Sequence, residues 1–154
     1  MRGFLCLARA LLVLVGMNDA ASTVLVLTDL SAASYRLLGF AVRVAEPSRG
    51  QLVLVSTLGA GRSETLLREE GRRLEAQRQW CADRGVDCQA VLCEGSSWPD
   101  CALQTSLQMN VDLILLSFRT AFGDSHTADG EIRKLAVRAP CRVRVLRVAG
   151  LPMA

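Results

Sequence analysis

The chain has 154 residues, of which 51% are apolar and 21% charged, with a formal net charge of +3. That length supports one domain with a real core and is short for two, and the composition argues against a disordered or low-complexity chain. The charge is mild and almost all arginine, with Lys134 the only lysine. No basic stripe interleaves with aromatics, which argues against a nucleic-acid partner.

Residues 1–16, MRGFLCLARALLVLVG, are apolar apart from Arg2 and Arg9. Arg9 interrupts the apolar run, which is too short for a membrane span of about 20 residues. Three readings stay open: a misassigned start with Met17 the natural beginning, a docked or interfacial helix, and a signal segment. The first is favoured. Residues 1–20 are therefore treated as an extension and 21–150 as the domain.

Thr23, Val24, Leu25, Val26 and Leu27 run straight into Thr28 and Asp29. This predicts a buried first strand, a tight turn at its carboxyl end, and a helix over 31–45 capped by Ser31. Leu37, Leu38, Ala41, Val42 and Ala45 form that helix's apolar stripe, and Pro47, Ser48 and Gly50 end it. Strand two is expected over 51–57. Ser63 caps a charged helix over 64–84 with a thin apolar stripe of Leu66, Leu67, Leu74, Ala76, Trp80 and Ala82. Glu69–Arg73 and Glu75–Arg78 are spaced for ion pairs along it. Its bulk is a solvated face.

Strand three is expected over 86–93, followed by a loop over 94–97. Pro99 suits the first turn of a helix reaching about Met109, with Ser97 or Trp98 near its cap. Strand four covers 111–116, an irregular loop 117–129, a short helix 130–139 and a last strand 141–148. Strands alternating with helices predict a parallel sheet covered on both faces. The last strand sets Arg142, Arg144 and Arg147 against Val143, Val145, Leu146 and Val148, as an edge strand with one wet face would.

The six cysteines are Cys6, Cys81, Cys88, Cys93, Cys101 and Cys141. No CxxC pair occurs and His126 is the only histidine, so neither zinc nor redox-motif spacing is present. All six are read as reduced thiols in a cytoplasmic protein.

VLVLTDLSAAS at the first strand, VDLILLS at the fourth, APCRVRVLRV at the end and Gly95 in the strand-three loop together resemble the universal stress protein family over 23–148. The resemblance implies a single Rossmann-like α/β domain of the adenine nucleotide alpha hydrolase-like kind, with a five-stranded parallel sheet in the order 3-2-1-4-5. It also implies a homodimer through the last strand, 141–148, with Val145 as a contact to disrupt. Asp112 is implied to anchor the start of a strand.

ATP-binding members of that family carry Gly-x2-Gly-x9-Gly-Ser/Thr after strand four. In this chain those positions fall on Ser117, Thr120, Gly130 and Glu131. Only one glycine remains, side chains stand where backbone must approach phosphate, and Glu131 adds a like charge. The candidate vestigial nucleotide site comprises Thr28, Asp29, Thr57, Ser117, Arg119, Thr120 and Gly130. Arg119 is its compensating cation, and Asp29 is either a ligand to adenosine or a turn residue accepting backbone N–H groups. His126 lacks a nucleophile partner in any recognisable motif, no flavin signature is present, and no catalytic residue is assigned. The expectation is a non-catalytic stress-response or signalling module with no cofactor and unidentified protein partners. The alternative is an ATP- or nucleotide-binding sensor with slow ATPase activity.

Overall fold

A computed structural model describes residues 21–59, 61–117 and 125–146, without the side chains of 125–129. The elements are β1 (Thr23–Leu27), α1 (Ser34–Ala45), a 3-10 turn (Glu46–Ser48), β2 (Gln51–Leu58), α2 (Glu64–Ala82), β3 (Asp87–Glu94), α3 (Trp98–Gln108), β4 (Leu113–Ser117), α4 (Ser125–Arg138) and β5 (Arg142–Leu146). The five strands form one parallel sheet in the order β3-β2-β1-β4-β5. Fold class and strand order are those the sequence implied.

Side-chain alternation divides the core into two layers. Val24, Val26, Leu52, Leu54, Leu113 and Leu115 point to the face covered by α1 and α2. Leu25, Leu27, Val53, Val55, Ile114 and Leu116 point to the face covered by α3 and α4. β1 lies between β2 and β4 and is buried along its whole length, as is β4. That double burial is why both read as unbroken apolar runs.

Three devices tie the amino ends of the strands together. Asp112 Oδ2 accepts the backbone N–H groups of Ser22 (3.1 Å) and Thr23 (3.0 Å), and the Asp112 N–H donates to the Thr23 carbonyl at 2.8 Å. The Ser48 hydroxyl donates to the Ala21 carbonyl at 2.7 Å. Gly50 lets the chain pass close by: a Cβ there would stand 2.5 Å from the Ser22 carbonyl oxygen. Asp112 therefore anchors the start of β1 from just ahead of β4.

Several expectations need correction. Ser31 does not cap α1, which begins at Ser34 with Ala33 at its N-cap and no side-chain cap bond. The Ser31 hydroxyl instead donates to Asp29 Oδ1 at 2.6 Å. Helix α4 starts at Ser125, so residues 125–129 do not belong to an irregular loop and Gly130 lies in the second turn of the helix. The helix start placed at Gly130 failed because a single glycine costs a helix only about 1 kcal/mol.

On α2, Ser63 caps as expected, accepting the Leu66 N–H. Its buried residues are Leu74, Gln77 and Cys81, whereas Ala76 is exposed. Arg73 pairs with Glu70 at 3.5 Å rather than with Glu69, and Arg78 pairs with Glu75 at 2.6 Å.

The last strand is an edge, but neither of its faces is simply wet. Val143 and Val145 pack on the α3/α4 layer, Leu146 on the other, and the Arg144 guanidinium lies 5.1 Å from the Phe40 ring centroid. Arg147 and Val148 lie outside the described residues, as do 1–20.

The reading of all cysteines as reduced is also overturned, because Cys93 on β3 and Cys101 on α3 form a disulfide with Cα atoms 6.5 Å apart. β3 is an edge strand whose contacts to the α3/α4 side are sparse, and the bond joins it to that layer. Cys81 and Cys88 remain thiols. A hydrogen bond from Cys88 lowers the Cys81 pKa, while the same bond and burial push Cys88 up. Among the described residues, no helix is long and apolar enough to cross a membrane.

Replacing Asp112 with alanine leaves two strand-start N–H groups without their charged acceptor. Asp112→Ala should lower the unfolding free energy by about 2–3 kcal/mol, and Asp112→Asn by about 1 kcal/mol. Urea denaturation reads both, and an unchanged midpoint for the alanine variant would contradict the anchoring role.

Candidate functional site at the carboxyl edge of the sheet

In an open parallel sheet the strand order reverses at one point, and the crevice outside the carboxyl ends there is the usual ligand position. Here the reversal falls between β1 and β4, because α1 and α2 cover one face and α3 and α4 the other. Thr28 and Asp29 follow β1, Thr57 lies near the end of the neighbouring β2, and Ser117 ends β4. Four of the seven candidate residues thus share one edge across three adjacent strands. Gly130 sits apart from the strand end, within α4, and Arg119 and Thr120 lie outside the described residues.

The turn after β1 is built from inside. The Thr28 N–H continues the β1–β2 ladder to the Val55 carbonyl at 2.9 Å. Its hydroxyl, buried with the rest of the residue, donates to Gln77 Oε1 at 2.8 Å and accepts the Leu30 N–H at 3.0 Å. Gln77 Nε2 donates to the Ser34 hydroxyl at 2.7 Å, which donates to the Ser31 carbonyl at 2.6 Å. Thr28, Gln77 and Ser34 are each at most 3% exposed. Hydrogen bonds at such depth are costly to leave unmade, and among the described residues no buried side-chain nitrogen or oxygen lacks a partner.

This chain of bonds holds Leu30 at a φ of 64°, a left-handed conformation that a branched residue adopts at a cost of about 1–2 kcal/mol. Leu30 is offset by burial in the α1/α2 layer. Reversing the chain at Leu30 leaves Asp29 exposed at the rim. Asp29 Oδ1 accepts both the N–H (2.9 Å) and the hydroxyl (2.6 Å) of Ser31. Of the two roles considered for Asp29, the turn role is occupied in this structure.

Among the described residues, the remaining candidate positions, Thr57, Ser117 and Gly130, offer little to a phosphate. Ser117 is 1% exposed, and Thr57 is half-buried. Gly130 is exposed on α4 with open space around it, and N–H groups inside a helix are turned to carbonyls one turn back. Glu131 pairs with Lys134 at 3.5 Å along the same helix. Among the described residues no group of three or more His, Cys, Asp or Glu is placed to hold a metal ion.

Sequence reasoning missed Gln77. Its signal was present: Gln77 stands three residues after Leu74 and four before Cys81, on the buried stripe of α2. A polar residue at a core position of a charged helix marks a side chain with a partner below it.

Gln77→Leu keeps the approximate size of the side chain but removes the acceptor of the Thr28 hydroxyl proton and the donor to the Ser34 hydroxyl. The expected loss is about 2–3 kcal/mol of stability. Adding Ser34→Ala to Gln77→Leu should cost less than the sum of the two single changes, because the bond is already lost. A thermodynamic double-mutant cycle from urea melts measures this, and strict additivity would contradict a shared network.

The chain matches no protein-family model and no curated protein. Solved structures do resemble it. A universal stress protein in complex with cAMP is 20% identical, with a TM-score of 0.64 over 84% of this chain and 99% of that one. The universal stress protein from Archaeoglobus fulgidus in complex with dAMP is 19% identical, with a TM-score of 0.67 over 81% and 97%. A universal stress protein family member from Burkholderia pseudomallei is 23% identical, with a TM-score of 0.62 over 85% and 97%. At these identities the likeness is one of fold, and the fold of this chain is that of the universal stress proteins.

Proposed function

We propose that this chain is a non-catalytic stress-response or signalling module of the universal stress protein kind, acting in the cytoplasm as a homodimer through protein contacts and without bound ATP. The observation that carries the reading is the commitment of the β1 turn to itself. The Thr28 hydroxyl is engaged on both its donor and acceptor sides, and Asp29 is turned onto Ser31. The last glycine of the phosphate pattern lies inside α4, next to the Glu131–Lys134 pair. A nucleotide at this rim would share Asp29 with the Ser31 bonds, both of which fall on Oδ1.

A second reading is a nucleotide-binding sensor, in which Asp29 stays at the rim as a ligand and Arg119 supplies the missing positive charge. It is favoured by the cAMP and dAMP named for two of the similar structures and by the exposure of Asp29.

Thermal unfolding separates the two. Ligand at ten times its dissociation constant stabilises a protein by about 1.4 kcal/mol. For a chain of this length that corresponds to a Tm rise of roughly 3–6 °C. The first reading expects no rise with ATP, AMP or cAMP at submillimolar concentration. A rise that Asp29→Ala abolishes would establish the second.

The dimer is proposed through β5, whose outer edge has no strand beside it among the described residues. Val145 is a poor probe of that contact because it also packs on the protein's own α3/α4 layer. Sedimentation velocity on the wild-type chain should show a dimer at micromolar concentration, and a monomer across the range would remove this part of the proposal.

A further inference from the structure

The Cys93–Cys101 bond lies where the fold can tolerate it both made and broken. Cys101 belongs to the buried α3/α4 layer at 2% exposure, and Cys93 is half-buried against the same layer. As free thiols both would remain small apolar groups in an apolar cluster, so reduction leaves no polar group stranded. Cys93 is in register with Thr57, and Glu94 with Leu58. Beyond them residues 94–97 are all exposed. That loop is held at one end by the Gly95 N–H on the Leu58 carbonyl at 2.9 Å, and at the other by Ser97 capping α3. The disulfide closes the same loop crosswise, at the carboxyl edge of the sheet beside Thr57.

We propose that Cys93–Cys101 is a reversible thiol–disulfide exchange site for a low-molecular-weight thiol such as glutathione, with Cys93 the sulfur that is attacked and the bond acting as a latch on the 94–97 loop. Accessibility sets the direction of attack. Cys93 is the half-buried and hence more approachable residue of the pair, and the sulfur of the buried Cys101 is the leaving group. A glutathione thiolate attacks Cys93 Sγ, the Cys93–Cys101 bond breaks, and Cys101 departs as a thiolate that takes up a proton. A second glutathione thiolate attacks the glutathione sulfur of the mixed disulfide, forming glutathione disulfide and releasing Cys93 as a thiolate. Two glutathione molecules are oxidised and one protein disulfide is reduced. The reverse sequence uses glutathione disulfide as oxidant. In a reducing compartment, disulfides are characteristically transient and redox-sensing. The latch does not depend on whether a nucleotide binds.

The test uses the full chain in glutathione buffers of stepped oxidation state, followed by acid quench, alkylation and peptide mapping. Cys93 and Cys101 should be blocked together in oxidised buffer and alkylated together in reduced buffer, with native circular dichroism throughout. Cys101→Ser removes the resolving thiol and should accumulate a glutathione adduct at Cys93 at least about tenfold above the adduct at Cys101 in Cys93→Ser. Amides of 94–97 should exchange hydrogen at least about tenfold faster in the reduced wild type. A bond that never forms, one that resists excess glutathione in the native chain, equal adducts at the two positions, or unchanged exchange in 94–97 would each overturn the proposal. The wild-type mapping and exchange stand even if either variant fails to fold.

Discussion

The buried hydrogen bonds from Thr28 through Gln77 to Ser34 are the constraint on which the candidate site depends. They cross from the end of the central strand to the second helix and back to the first turn of α1. Without them the Thr28 hydroxyl would lose the acceptor of its proton and the Ser34 hydroxyl its donor, each left with one local bond in a buried setting. With them the chain turns at the left-handed Leu30, α1 starts at Ser34 rather than at Ser31, and Asp29 is carried to the rim. The geometry of the sheet edge is thus decided by a residue on α2, more than forty positions away from the turn it shapes.

A fold shared with nucleotide-bound proteins does not by itself bring a nucleotide site with it. Function lives in the site and not in the sheet. A phosphate cradle needs backbone N–H groups that are free and approachable. In the described part of this edge, Ser117 is buried and Gly130 is within a helix. What the edge does present is an exposed carboxylate on Asp29 and, next to β2, the exposed 94–97 loop tethered by a disulfide.

The two edge strands are managed by different means. β5 is held by packing on both faces, with valines on one side and Leu146 and an arginine over Phe40 on the other. β3 has the α2 layer on one face but little on the other, and a covalent bond to α3 secures its carboxyl end. The arginine and valine alternation that suggested a wet face on β5 reflects the long aliphatic stem of arginine, which can lie over apolar surface while its head stays polar.

Periodicity and punctuation alone determined the element order, the parallel sheet with two covered faces and the cap at Ser63, and narrowed the cap of α3 to Ser97 or Trp98, which the structure resolves to Ser97. The strand order and the anchoring by Asp112 came through family resemblance, because nothing local dictates which strands pair. Tertiary structure decided the rest. Ser31 satisfies every local rule for an N-cap, yet Asp29 competes for its hydroxyl. Gly130 looks like a helix boundary, yet packing carries the helix through it. Gln77 looks solvated among charged neighbours, and Cys93 and Cys101 look like ordinary small hydrophobes, until the crossovers bring their partners into reach. Asp29 acts on Ser31 from two residues away, through the turn that the fold imposes. Gln77 and the Cys93–Cys101 pair depend on groups of different elements meeting at hydrogen-bond or covalent distance, which spacing along the chain does not report.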